Sequence, residues 1–201
     1  MLSSKYGVLV VFSGPSGAGK GTALAVAQKK HDGLKISVSA TTRQPRVGEV
    51  DGVNYYFKTV AEFEKSVARG EFLEHKNVFG NYYGTPKAPA IEQLEKGNDV
   101  VLEIDVEGAY EVKKVMPEAV LVFFTPASAS ETERRLRGRK TDSDDVIARR
   151  LQEAKQEVAG AVNFDYFIVS TTPEESADIL LSILTAEKTR VARHVGVIEG
   201  Y

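Results

Sequence analysis

Gly14-Pro15-Ser16-Gly17-Ala18-Gly19-Lys20-Gly21-Thr22 is the stretch on which the reading of this chain turns. It follows an apolar run at residues 8–12 and precedes a helical pattern at residues 19–29. Glycines at this spacing let a backbone curl so that successive N–H groups point at one anion. The helix after the loop adds its positive N-terminal end. Lys20 supplies a charge for the outer phosphates of a nucleotide. At average composition such a match turns up by chance in roughly one chain in a hundred of this length. The hydroxyl that usually comes directly after the lysine is one place later, at Thr22, because position 21 is glycine. A metal bound here is therefore expected to be held mostly through water and phosphate.

Working outward, apolar runs of strand length recur at residues 8–12, 100–104, 120–124 and 164–169. Each is rich in β-branched or aromatic residues and each leads into a helical pattern. The helices are expected at residues 19–29, 107–115 (stopped by Pro117), 128–137 and from Pro173 to about Arg193, with Gly196 closing the last. Strand–helix alternation predicts an α/β, three-layer fold with a parallel central sheet covered on both faces. Ligands of such sheets bind beyond the carboxyl ends of the strands. Two regions break the rhythm. Residues 39–89 carry Gly48, Gly52, Gly70, Gly80 and Gly84, with short alternating segments at 54–57 and 71–78. They read as an inserted small β-containing lobe, which leaves residues 1–38 and 90–201 as the core. Residues 130–145 are irregular and crowded with charge.

Composition narrows the chemistry. The 201 residues suffice for one domain with a proper core. The net charge of -2 argues against a dedicated nucleic-acid binder. With no cysteine, thiol nucleophiles, disulfides and cysteine-held metals are excluded. His31, His75 and His194 have no zinc-type spacing and read as ordinary surface or packing residues. No apolar run approaches the length of a membrane span. Residues 8–12 are too short for a secretory signal core, so no membrane association and a cytoplasmic location are expected.

A nucleotide loop alone does not distinguish hydrolase, kinase and switch. The inserted region does. Thr41-Thr-Arg43-x2-Arg46-x2-Glu49-x2-Gly52-x2-Tyr55-x-Phe57 sets two arginines three apart among hydroxyls, a suitable clamp for an anion. This spacing closely resembles the signature of the guanylate kinases. Glu71-Phe-Leu-Glu74 and Gly80-Asn-Tyr-Tyr83-Gly84-Thr85 resemble that family's monophosphate lobe. Val101-Leu-Glu103-Ile-Asp105-Val-Glu-Gly108 resembles its central strand end, Arg134-Arg135-Leu-Arg137-Gly-Arg139 its lid, and Arg149-Arg150-Leu151 the helix after the lid. The resemblance spans residues 6–193, with the motifs in the family's order.

The resemblance implies a P-loop NTPase fold with a GMP-binding lobe and a helical lid at about residues 130–146. It implies ATP-dependent phosphorylation of GMP to GDP, and of dGMP as well, with Mg²⁺ as cofactor. Residues 14–22 would bind ATP. Ser39, Arg43, Arg46, Tyr55 and Tyr83 would clamp the GMP phosphate. Glu74 and Thr85 would face guanine, and Asp105 would lie close to its amino group. Guanine presents N1–H and the 2-amino group side by side, which suits a carboxylate, while a threonine hydroxyl can donate to O6. Lys20 and Mg²⁺ would hold the donor phosphates, with Thr22, Glu103 and Asp105 as metal partners through water. Arg43 would orient the acceptor, and Arg135, Arg139 and Arg150 would close over the transferring group. Where many relatives carry an Asn-Asp pair near adenine, this chain has Ser170-Thr171-Thr172.

Two other readings compete. One is a guanylate-kinase-like module that binds a protein partner without catalysis; the intact Gly19 and Lys20, and the lack of room for a companion domain, speak for the enzyme. The other is a kinase with a different acceptor, against which Glu74 and Thr85 stand. A basic RNA-binding helix at residues 134–150 is disfavoured by the interspersed Glu131, Glu133, Asp142, Asp144 and Asp145.

Overall fold

The computed structural model describes residues 6–138 and 143–200. In chain order its elements are β1 (Leu9–Ser13), α1 (Lys20–Lys30), β2 (Leu34–Ile36), β3 (Ala40–Thr41), β4 (Tyr56–Phe57), α2 (Val60–Ala68), β5 (Phe72–Val78), β6 (Asn81–Pro86), α3 (Lys87–Glu95), β7 (Asp99–Glu103), α4 (Val106–Val115), β8 (Val120–Pro126), α5 (Ala129–Gly138), α6 (Asp144–Gly160), β9 (Tyr166–Ser170), α7 (Pro173–Lys188) and α8 (Val195–Ile198).

Five strands form a parallel sheet in the order β2-β7-β1-β8-β9. β1 is central and every one of its residues is buried. Its side chains alternate between two cores, as strand geometry requires. Val8, Val10 and Phe12 pack with Ala23, Leu24 and Ala27 of α1 and Ala177, Leu180 and Leu184 of α7. Leu9 and Val11 face the other way, onto Ala90 and Leu94 of α3 and Ala109 and Val112 of α4. Helices cover both faces, so the strands can be apolar throughout.

A second sheet, in the order β4-β3-β6-β5, is built by residues 40–86. β5 and β6 form an antiparallel hairpin, and β6 also pairs antiparallel with β3. This sheet carries its own aromatic core: Phe63 of α2 stacks on Phe72 at 4.5 Å and on Tyr82 at 5.3 Å. A Thr59–Glu62 capping box starts α2 and aims Phe63 at the strands.

Several elements differ from expectation. β2 has three residues, of which only Leu34 is buried, too short for periodicity to reveal. Of residues 54–57 only Tyr56 and Phe57 join the sheet; the Asn54 side chain accepts from the Val50 N–H and closes a turn instead. Within the charged stretch at residues 130–145, the described residues 130–138 and 144–145 are helical. Glu131 pairs with Arg134 and Arg135, and Glu133 with Arg137, all at helical spacing along α5. The last long helix ends at Lys188, short of Arg193, and Gly196 lies within the short α8 rather than at a helix end. The chain turns there because Arg193 is buried and donates to the carbonyls of Tyr6 and Gly7. No helix among the described residues is long and apolar enough to cross a membrane.

Asp99 opens β7 and is fully buried. Its Oδ1 accepts from the Val8 N–H at 3.0 Å, while Oδ2 meets Lys188 Nζ at 2.6 Å and His31 Nε2 at 2.9 Å. Three segments distant in sequence converge on one carboxylate. Asp99→Ala leaves the Val8 N–H without an acceptor and Lys188 without its anion. The expected loss is about 3 kcal/mol of stability, checked by denaturant unfolding; a loss below about 1 kcal/mol would contradict this role.

Candidate active site

Both halves of the candidate site lie at the carboxyl end of the parallel sheet. On one side, the chain leaves β1 through Gly14 at φ 145°, where a Cβ would stand 1.9 Å from the Phe124 carbonyl oxygen. Only glycine fits there. The loop then runs to Gly19, which opens α1 in the left-handed conformation. Lys20 folds its ammonium back onto the carbonyls of Gly14 and Pro15, inside the loop. Thr22 sits exposed on the first turn of α1.

Arg135 closes this half from α5. It donates to the Ala18 carbonyl at 2.7 Å, to Ser170 Oγ at 3.0 Å and to Glu131 at 2.7 Å. Ser170 thus anchors an arginine on the phosphate loop, and Thr172 caps α7 by accepting from the Glu175 N–H. Glu131 is held down at about 2 by hydrogen bonds from Arg134 and Arg135. Arg134 and Arg137 are exposed and paired along the helices. Arg150 is half-buried on α6. Arg139 lies outside the described residues.

The second half is a cavity of about 270 Å³ lined by Ser39, Tyr55, Glu74, Lys76, Tyr83, Glu103 and Asp105, among others. Its floor is the seam where β5 and β6 meet the N-terminus of α4. Glu74 lies across from Thr85 in the hairpin register. Burial pushes its carboxyl above the usual range, and the Asp105 charge adds to this, against the Thr85 hydrogen bond and Lys76. Asp105 caps α4, accepting from the Gly108 N–H at 2.9 Å. Tyr55 and Tyr83 meet edge-on with centroids 6.1 Å apart. The Arg43 guanidinium stands 5.5 Å from the centre of the Tyr55 ring. Arg46 is exposed on the neighbouring loop.

Thr85 pairs with Glu74 rather than opening onto the cavity. It is buried, it does not line the cavity, and its hydroxyl gives its one proton to Glu74 Oε1 at 2.6 Å. As placed, it donates to the carboxylate that lines the cavity.

Three residues without an assigned role in the sequence reading take part. Glu49 accepts both Arg43 Nη2 contacts, at 2.8 and 3.0 Å, and the Arg46 N–H at 2.7 Å. It presets the arginine loop, and its place in the Arg-x2-Arg-x2-Glu spacing was the available signal. Lys76 reaches from β5 to Asp105 and Glu107; burial lowers its affinity for a proton, but these two carboxylates outweigh that and raise it. Glu157 comes two helical turns after Arg150 on α6. One of its carboxylate oxygens is buried without a hydrogen-bond partner among the described residues. Burial raises this carboxyl, with Lys20 opposing.

No three carboxylates or histidines among the described residues converge to hold a metal directly. Glu103 and Asp105, both on the cavity wall at the end of β7, suit a cation held through water.

Parallel sheet, glycine-rich loop and Lys20 at the start of α1 define a P-loop NTPase fold. The comparisons narrow this. The family model for guanylate kinase matches residues 6–187. A guanylate kinase from Carboxydothermus hydrogenoformans is 51% identical over 187 residues, 93% of this chain and 92% of that protein. One from Clostridioides difficile is 46% identical, covering 96% of this chain and 95% of its own. The crystal structure of guanylate kinase from Anaplasma phagocytophilum superposes with a TM-score of 0.73 at 35% identity, over 96% of this chain and 92% of that one. The chain belongs to the guanylate kinase family.

The Glu74 environment has a pH signature. Because its folded-state value is raised, its contribution to stability is greatest below the ordinary value of 4.5 and is lost as pH rises through the folded value. Glu74→Gln removes that loss. The variant is expected to gain stability relative to the parent as pH rises from about 4 to 8, measured as the difference in unfolding midpoints. A difference that is flat or shrinks with pH would refute the burial argument.

Proposed function

We propose that this protein transfers the terminal phosphoryl group of ATP to GMP, giving ADP and GDP, with dGMP as a second acceptor. The observation that carries the reading is the cavity at the lobe–core seam. It sets Glu74 and Asp105 beside one another, near Tyr55, Tyr83 and the Glu49-held Arg43. Two carboxylates match the adjacent N1–H and 2-amino donors of guanine. Adenine offers no such pair, and a buried carboxylate left facing it costs binding.

The attacking group is an oxygen of the acceptor phosphate, already anionic, so no strong general base is required. Catalysis is then positioning and charge neutralisation. Ser39, Arg43, Arg46, Tyr55 and Tyr83 hold the acceptor phosphate. Burial keeps the Tyr55 phenol protonated, hence a donor. Residues 14–22 cradle the donor phosphates, and Lys20 leaves the Gly14 and Pro15 carbonyls for phosphate oxygens. Arg135 and Arg139 from the lid, residues 130–146, and Arg150 from the helix after it gather around the transferring group, while residues 39–89 act as the acceptor lobe. Thr22, Glu103 and Asp105 would hold Mg²⁺ through water. When bound, the ion neutralises charge on the donor phosphates. On this reading the reaction belongs to purine nucleotide metabolism in the cytoplasm.

With ATP and Mg²⁺, a coupled assay is expected to detect ADP on addition of GMP or dGMP. AMP, CMP and UMP should be poorer by about 10⁴-fold in kcat/KM. Equal turnover of AMP would discard the base-recognition argument, and no turnover of any acceptor would favour a binding module. Lys20→Ala should lower kcat roughly 10³-fold while GMP affinity, read by calorimetry, is retained. Near-parental kcat would refute the donor-site assignment.

A further inference from the structure

Lys76 stands where the two sheets of the molecule meet. It projects from β5, and its Nζ lies 2.6 Å from Asp105 Oδ2 and 2.9 Å from Glu107 Oε2, both in the first turn region of α4. It lines the cavity that holds Glu74 and Asp105. It also lines the adjoining one bounded by Glu107, Glu153 and Glu157. Around this seam the carboxylates of Glu74, Asp105, Glu107, Glu153 and Glu157 gather, and Lys76 touches two of them.

The geometry at Asp105 is informative. Oδ1 is occupied by the helix cap to the Gly108 N–H, and Oδ2 by Lys76. A carboxylate oxygen accepts from two directions, so Oδ2 retains capacity for one more donor from the cavity. With both oxygens pinned, the carboxylate cannot rotate about its terminal bond without breaking a charge-assisted contact. Its remaining acceptor direction is therefore preset.

We propose that Lys76 is a specificity-determining positioning residue: it clamps Asp105 so that the free acceptor direction of Oδ2 meets the 2-amino group of the acceptor purine. This rests on the GMP reading above and deepens it. The clamp joins the small sheet to the core directly across the base site, so the same contact that orients Asp105 holds β5 in register with α4. Lys76 and Asp105 are each about a third exposed, at 37% and 36%. A tie in that setting adds little to global stability. Its effect belongs to recognition.

The test uses Lys76→Met and Lys76→Arg in the full chain, with GMP and IMP as acceptors. IMP has the same phosphate, ribose and purine frame and lacks only the 2-amino group. For Lys76→Met, KM and the calorimetric Kd for GMP are expected to rise about tenfold, the scale of one charge-assisted hydrogen bond. Kd for IMP should move less than about twofold, and kcat with GMP should stay within about threefold. Lys76→Arg should restore most of the GMP preference. In an Asp105→Asn background, Lys76→Met should cause no further loss of that preference. Equal weakening of GMP and IMP would reduce Lys76 to a lobe tether and overturn the proposal, as would an unchanged GMP:IMP binding ratio. If the parent protein bound both nucleotides but phosphorylated neither, the kinase reading would fall, while the binding ratio would still decide the role of Lys76.

Discussion

At the end of β1 the backbone passes so close to the Phe124 carbonyl that no side chain fits at Gly14. The glycine-rich half of the candidate site depends on this contact. It turns the chain out of the sheet between β1 and β8 and into the glycine-rich loop. It also delivers Gly19 in the left-handed conformation that starts α1. From there α1 lies back along the sheet, its Ala23, Leu24 and Ala27 filling the space beside Val10 and Phe12. Small residues on α1, with Ala177 on α7, permit the close approach of these two helices. The orientation of Lys20 is thus tied to core packing as well as to local loop chemistry.

The opposite half of the site obeys a different constraint. It is assembled from two hydrogen-bonded systems that share no strand. Glu74 and Thr85 come from neighbouring strands of the small sheet, and Asp105 from the junction of β7 and α4. Gly108 lets them meet: a Cβ there would lie 3.3 Å from Glu74 Oε2. Asp105 serves at once as helix cap, as partner of Lys76 and as cavity wall. Such shared duty makes the seam sensitive to substitution although parts of it are open to solvent. Burial and then the Asp105 charge raise the proton affinity of Glu74, and Lys76 opposes this.

The two arginine groups show contrasting preorganisation. Arg43 is held by Glu49 on its own loop, with two contacts from one nitrogen, before any ligand arrives. Arg135 is held by groups from three elements, including the Ala18 carbonyl of the phosphate loop itself. An acceptor phosphate would meet a guanidinium that is already oriented. A donor nucleotide would meet one already engaged with the loop that it enters.

Much was legible from residue order. The four apolar runs became β1, β7, β8 and β9: the first three lie inside the sheet, where a strand covered on both faces is almost continuously apolar, while β9 at the edge leaves Phe167 and Val169 exposed. The glycine-rich loop was equally plain, since its chemistry is local. β2 was hidden by its three-residue length, and the end of α7 by a partner 187 residues away in sequence, Tyr6. Thr85 read as a guanine donor because its type suited O6. Only the pairing of β5 with β6 shows that its proton goes to Glu74. Lys76 and Glu157 carried no signal of their own, since a lone charge in a strand or helix reads as solvated surface. Local patterning thus determined four of the five core strands and the loop, and the motifs carried the family resemblance. Long-range packing decided which polar groups are spent on one another and which remain for a ligand, because hydrogen-bond capacity is finite and is allotted only when distant segments meet.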